Sequence, residues 1–116
     1  MCAEPNIVVV ESSSVRNLIG TVLEKEHYNA QLEDAAGALE LLRRQDVQID
    51  LLITNEPWWF VPFRPGMRVL YISGAPDSDF LRKHRNESMG YLQKPFRFHE
   101  LMDGVRTLLG EPARVS

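Results

Sequence analysis

The chain has 116 residues, of which 44% are hydrophobic and 25% charged, the size and balance of one globular domain built on a single core. A formal net charge of −3, with Lys and Arg scattered rather than striped, gives no electrostatic footprint for nucleic acid, and no apolar run reaches the length that crosses a bilayer. Direct partnership with nucleic acid or membrane is therefore not expected. The single cysteine, Cys2, excludes an internal disulfide and a cysteine-based metal cluster. The opening Met1-Cys2-Ala3-Glu4-Pro5 lacks the basic and apolar segments of a signal peptide, so the cytoplasm is the expected compartment.

Ile7 to Val10 is a continuous β-branched run, the pattern of a strand covered on both faces in a parallel sheet. Ser12, Ser13 and Ser14 then offer N-cap hydroxyls to a one-faced helix in which Val15, Leu18, Ile19, Val22 and Leu23 recur at helical spacing. A short second strand around Ala30 to Glu33 leads into a helix near Gly37 to Arg44, with Ala38, Leu39, Leu41 and Leu42 on its apolar side. The third strand covers about Asp50 to Thr54 and the fourth about Arg68 to Ile72.

Between those two strands lies Glu56 to Met67, which holds Pro57, Pro62, Pro65 and Gly66. Each proline inside a helix costs about 3 kcal/mol, because it removes a backbone donor and clashes with the preceding turn, so a long helix is not expected here. One face of the sheet would then lack its cover. Trp58, Trp59, Phe60 and Phe63 are the candidates to replace it, since each large aromatic buries on the order of 150–250 Å². Some of them are expected inside; the competing reading makes the cluster, with its adjacent Trp58 and Trp59, an exposed docking patch.

After the fourth strand, Pro76-Asp77-Ser78-Asp79 reads as a helix start, with Phe80 and Leu81 inward and Arg82, Lys83, His84 and Arg85 near the last turn, where basic residues suit the helix dipole. Gly90 to Gln93 forms a short fifth strand. Phe98, Leu101, Met102, Val105, Leu108 and Leu109 mark a closing helix, which Gly110 and Pro112 end. The alternation predicts an α/β fold: a three-layer, doubly wound sandwich on a parallel sheet, as one domain over residues 1–116 with its core at about 6–109.

In such a sheet the ligand crevice lies outside the carboxyl ends of the strands, near the point where strand order reverses. Those ends present Glu11 and Ser12, Asn55, Ser73 and Lys94. The stretches Ile7-Val8-Val9-Val10-Glu11-Ser12, Ile49 to Pro57, Val69-Leu70-Tyr71-Ile72-Ser73-Gly74 and Tyr91-Leu92-Gln93-Lys94-Pro95-Phe96 carry them in order. In that order and spacing the sequence resembles the receiver domain of two-component response regulators, the CheY-like superfamily. The resemblance implies a flavodoxin-like fold, strand order 2-1-3-4-5, with the third helix shortened or missing.

The resemblance also implies a chemistry. A receiver uses an acidic pair to hold Mg²⁺, a central aspartate as phosphoacceptor, and a hydroxyl and an ammonium to bind the phosphoryl oxygens. Here Lys94, followed by Pro95 and Phe96, matches the ammonium position, Ser73 the hydroxyl, and Tyr91 the aromatic switch. Glu11 matches one of the acidic-pair positions, but Ser12 replaces the other and Asn55 stands where the phosphoaccepting aspartate would be. An amide nitrogen conjugated to its carbonyl is not a nucleophile, and Mg²⁺ needs several hard oxygen ligands that the pair Glu11 and Asn55 does not supply. No cofactor is expected, and Mg²⁺ only where such a site is competent. Glu11 and Lys94 are expected to form an ion pair, with a hydrogen bond from Asn55.

The sequence thus reads as a phosphorylation-independent receiver, a pseudo-receiver and not an enzyme. Its expected partners are proteins, a sensor kinase or another regulator, and it is a candidate homodimer through the family's surface of helix 4, strand 5 and helix 5. Two alternatives stand beside it: a phosphorelay receiver using another carboxylate, Asp50 or Glu56, and a small flavodoxin-like cofactor binder, whose only support is the serine-rich turn at Ser12 to Ser14. His27, His84 and His99 lack metal-ligand spacing and read as solvated.

Overall fold

The computed structural model describes residues 5–44, 46–64, 66–84 and 88–110; the expectations placed on Cys2, Pro65, Arg85 and Pro112 lie outside them. Five strands, β1 (Asn6–Val10), β2 (Asn29–Leu32), β3 (Leu51–Thr54), β4 (Val69–Ser73) and β5 (Met89–Gln93), form one sheet in the order β2-β1-β3-β4-β5. All neighbours are parallel, as the near-continuous apolar runs of the central strands require. The helices are α1 (Ser13–Lys25), α2 (Ala35–Arg43), α3 (Ser78–Lys83) and α4 (Phe98–Leu109).

Register divides the strands' side chains between two layers. Because alternate residues point to opposite faces, Ile7, Val9, Leu51, Ile53, Leu70 and Ile72 pack on one side with Ile19 and Leu23 of α1 and Leu101, Met102, Val105 and Leu108 of α4. Val8, Val10, Leu52 and Val69 point to the other side, against Ala38, Leu41 and Leu42 of α2. Element bounds fall close to those read from the sequence, but α2 begins at Ala35 rather than near Gly37. The reason is a cap: Asp34 Oδ1 accepts the Gly37 N–H at 2.7 Å.

Two apolar positions do not face the core as the periodicity placed them. Leu18 of α1 and Phe98 of α4 are exposed, and they flank a groove between the two helices beside Val22 and Met102 instead of resting on the strands. The periodic stripe on each helix is wider than the sheet beneath it. At the end of α1, His27 takes a left-handed conformation with φ of 67°. The His27 N–H then bonds Glu24 O and the Tyr28 N–H reaches Leu23 O, closing the helix while Tyr28 and Leu23 meet in the core.

Among its described residues the crossover from β3 to β4 contains no α-helix. It makes two consecutive 3-10 turns, Pro57–Trp59 and Val61–Phe63, in which the prolines occupy first-turn positions whose N–H groups would be unused in any case. Phe60, between the turns, is 1% exposed and packs with Val8, Val10 and Leu52, doing the missing helix's share of covering the sheet. Trp58, Trp59 and Phe63 are 38%, 58% and 46% exposed, so the cluster divides: one ring goes in and three stay at the surface. Arg64 ties the loop down. Its guanidinium donates to the carbonyls of Leu41 (3.2 Å), Leu42 (3.2 Å) and Arg44 (2.6 Å), satisfying the open C-terminal end of α2.

Candidate functional site at the strand ends

Parallel pairing brings the polar residues of interest to one rim. Val10 of β1 pairs with Thr54 of β3, so Glu11 and Asn55, the next residues along, leave adjacent strands at the same level. Across the sheet, the Lys94 N–H donates to Ser73 O at 3.0 Å, which continues the β4–β5 ladder one step past Gln93. The Lys94 side chain returns over the rim, and its Nζ stands 3.0 Å from Glu11 Oε2.

The Glu11 side chain has no exposed surface, while that of Lys94 is 31% exposed. A buried carboxylate is costly unless it is paired and hydrogen-bonded. Glu11 Oε1 accepts the Ser12 N–H at 2.9 Å, but Oε2 accepts no hydrogen bond despite the nearby ammonium. The distance is that of an ion pair and the angles are not those of a hydrogen bond; both hold, and the compensation at Oε2 is Coulombic. The bond expected from Asn55 is not made: among the described residues its half-buried amide has no hydrogen-bond partner.

Ser12 sits at the N-cap of α1, yet its hydroxyl makes no capping bond; its carbonyl instead accepts from Arg16 N at 2.7 Å. Capping by the Ser12 side chain is therefore corrected to a positional role only. Ser73 turns its Oγ to the Ala75 N–H at 3.1 Å, closing the loop after β4 rather than facing across the rim. Tyr91 sends its hydroxyl to Ser73 O at 2.8 Å. Tyr91 and Tyr71 are register partners, and their rings meet edge to face at 5.5 Å. Burial, with a smaller contribution from Tyr71, pushes the Tyr91 hydroxyl above its ordinary pKa.

The donor set does not suit a divalent cation. Glu11, the carboxylate that follows β1, has one oxygen bonded to a backbone N–H and the other facing an ammonium, while Ser12 and Asn55 are neutral. Among the described residues no group of three or more His, Cys, Asp or Glu is arranged to hold a metal. Neither Asp50 nor Glu56 adds to this set. Asp50 lies at the opposite end of the sheet, where its Oδ2 accepts the Asn6 N–H at 2.7 Å, and Glu56 is exposed on the entry to the first 3-10 turn.

Some residues that shape this region carry no signal in the sequence. Tyr71 Oη accepts the Asp77 N–H at 3.1 Å, which fixes the start of α3, where Asp77 also caps Phe80 N at 3.0 Å. His84, expected to be solvated, is half-buried: its ring stacks on Phe80 at 4.2 Å and its Nδ1 lies 3.1 Å from Phe80 O. Among the described residues no helix is long and apolar enough to cross a membrane.

No protein-family model matches the sequence, and no curated protein is significantly similar to it. Solved structures do resemble it. A response regulator receiver protein from Burkholderia phymatum superposes with a TM-score of 0.81 at 21% identity, covering 97% of this chain and 100% of that one. A receiver domain protein of CheY-like type from Methanospirillum hungatei gives 0.77 at 18% identity, over 92% and 94% of the two chains. The signal receiver domain of an HD domain-containing protein from Pseudomonas fluorescens gives 0.76 at 24% identity, over 95% and 90%. The chain has the fold of response regulator receiver domains, the one its motifs resembled.

Proposed function

We propose that this chain is a receiver-type signalling domain whose phosphoacceptor chemistry is silent and which acts by contact with other proteins. The observation that carries the reading is the rim of the sheet: a carboxamide, Asn55, follows β3, and the carboxylate on the adjacent strand end, Glu11, is already paired with Lys94 at 3.0 Å. In-line transfer of a phosphoryl group needs a nucleophile and a cation to gather the developing charge. The Asn55 amide is neutral and its nitrogen lone pair is delocalised into the carbonyl, so it lacks the nucleophilicity of a carboxylate, and Lys94 neutralises Glu11 in place of a metal. The rim is thus electrically complete without a cation.

The contact surface in this reading is the side formed by α3, β5 and α4. It presents a groove of about 420 Å³ with Leu81, Arg82, His84, Met89, Gly90 and Tyr91 in its lining. A sensor kinase, another regulator or a second copy of the domain is the partner class. The silent-acceptor reading is tested by incubating the protein with a small phosphodonor and Mg²⁺ and measuring its intact mass. No mass change is expected; a stable gain of one phosphoryl group on the unaltered chain overturns it. The double variant S12D/N55D, which returns two carboxylates to the rim, is expected to gain that group under the same conditions and so shows that the reagents work.

A further inference from the structure

A second groove, between the crossover and α3, has walls of two unlike kinds. Leu70 and Ile72 lie in the layer under α1 and α4, so Tyr71 between them points to the opposite side, that of Val69 and α2. There Trp58, from the first 3-10 turn, and Phe80, from α3, meet Tyr71 edge to face at 5.9 and 6.0 Å. Trp58 and Phe80 also meet each other, at 5.8 Å and 77°, and His84 extends the Phe80 wall by stacking on it at 4.2 Å. Two ring planes at nearly a right angle make a corner, and it opens into a groove of about 350 Å³. Asp77, Asp79 and Lys83 line the groove on the α3 side.

Rings bordered by carboxylates have a chemical preference. The face of an indole attracts a cation, and a guanidinium suits it best: it is planar, weakly hydrated, and can stack while its N–H fork reaches a carboxylate. The crossover already shows this contact once, where Arg43 of α2 holds its guanidinium 6.0 Å above the ring of Phe63. On the α3 side the charges beside the rings are acidic. Asp77 is fixed in place, because its Oδ1 accepts the Phe80 N–H at 3.0 Å. Asp79 pairs with Arg82, but both side chains are 76% exposed, and so open a pair is weak enough for an incoming guanidinium to replace Arg82. Lys83 is exposed and can keep its ammonium in water while its stem lies along the groove. An anion would be repelled by both carboxylates, and a neutral ligand would leave them unused. We propose that this groove receives an arginine side chain from an exposed segment of another protein, with the guanidinium stacked on Trp58 and bonded to Asp77 or Asp79. The inference goes beyond the silent-receiver reading. It uses none of Glu11, Asn55, Ser73 and Lys94, and it stands whether or not Asn55 accepts a phosphoryl group.

Two-dimensional NMR of the whole chain tests the assignment. Trp58 and Trp59 are the two tryptophans, so W59F leaves one indole N–H signal and identifies that of Trp58. The probe is a blocked tripeptide of glycine, arginine and glycine; the control carries citrulline, which has the same shape without the charge. The arginine peptide is expected to move the Trp58 indole and the Phe80 amide saturably, and the citrulline peptide to bind about fivefold more weakly or less. D77N/D79N, in which asparagine keeps the cap while both charges go, is expected to weaken arginine binding about tenfold. K83E is expected to tighten it about threefold, and W58L, followed at the Phe80 amide, to weaken it about threefold. An absent or unsaturable shift, equal binding of the citrulline peptide, or unchanged affinity in folded D77N/D79N each overturns the proposal. So does a Trp58 signal that moves with the concentration of the protein alone, which would seat a second copy in the groove. The amides of Leu23 and Val105, in the other core layer, report the fold; if D77N/D79N loses them, D79N, which leaves the Asp77 cap intact, is read by the same criterion. Phosphoryl gain in the mass assay would remove the silent reading and leave the groove result standing, so the two failures are distinguishable.

Discussion

The two faces of the sheet are covered by different means. On one, α1 and α4 lay regular apolar stripes over Ile7, Val9, Ile53 and Leu70, and the backbone of each helix satisfies itself. On the other, α2 covers only part, and the remainder falls to the segment of two 3-10 turns, whose one fully buried aromatic ring among the described residues is Phe60. The helix-covered face spends many residues on repeated small contacts. The loop-covered face spends few, relies on large rings, and borrows its hydrogen bonding from Arg64. An irregular segment can thus close a sheet, at the expense of leaving Trp58, Trp59 and Phe63 partly in water.

That contrast can be broken or sharpened by substitution. The largest effect is expected from Phe60→Ala, about 3–5 kcal/mol of lost stability in urea titration, comparable to the roughly 2–5 kcal/mol expected of Leu23→Ala on the helical face. A much smaller loss would show that the loop collapses into the space and that its cover is softer than the helices'. Arg64→Ala should cost on the order of 1–2 kcal/mol, since three charge-assisted bonds to the end of α2 are lost at a partly exposed site. Hydrogen exchange should then quicken in the last turn of α2 and leave α1 unchanged.

On the helical face the expected change has the opposite sign. His27 holds φ of 67° without being glycine, so His27→Gly should raise stability by about 1 kcal/mol, read as a higher thermal midpoint. The smallest effect concerns pH. Tyr91 is pushed above the ordinary tyrosine value in the folded chain, so the folded state holds its proton more tightly than the unfolded state. Its contribution is complete below pH about 10 and is lost as pH rises through the folded value. Stability of the unaltered protein should fall faster above pH about 10 than that of Y91F.

Much of this architecture is legible from local pattern. The β-branched run at Ile7 to Val10 and the 3.6-residue period of α4 depend on neighbours in sequence, and both appear where the pattern puts them. The prolines argued against a long helix between β3 and β4, and among the described residues only two short 3-10 turns form there. What local pattern does not encode is reach. Arg64 meets carbonyls some twenty residues away, His84 stacks on Phe80 only because of how α3 closes, and Leu18 and Phe98 are apolar without a strand beneath them. At the candidate site, sequence order placed Glu11, Asn55, Ser73 and Lys94 at strand ends, but not the direction of each side chain. Ser73 serves its own turn, the Ser12 hydroxyl makes no capping bond, and Asn55 bonds to neither Glu11 nor Lys94.

The outermost strand, β2, is four residues long, carries Asn29 and Gln31, and is mostly exposed along its length. An open strand edge invites addition of foreign backbone, and short polar edges resist it. Asn29 is further occupied, its side-chain amide donating to Asn6 Oδ1 at 2.6 Å. Lateral growth of the sheet is disfavoured on that flank, so any self-association through β2 must be written in side chains rather than in a shared ladder, and concentrated solutions should resist fibril formation that begins there.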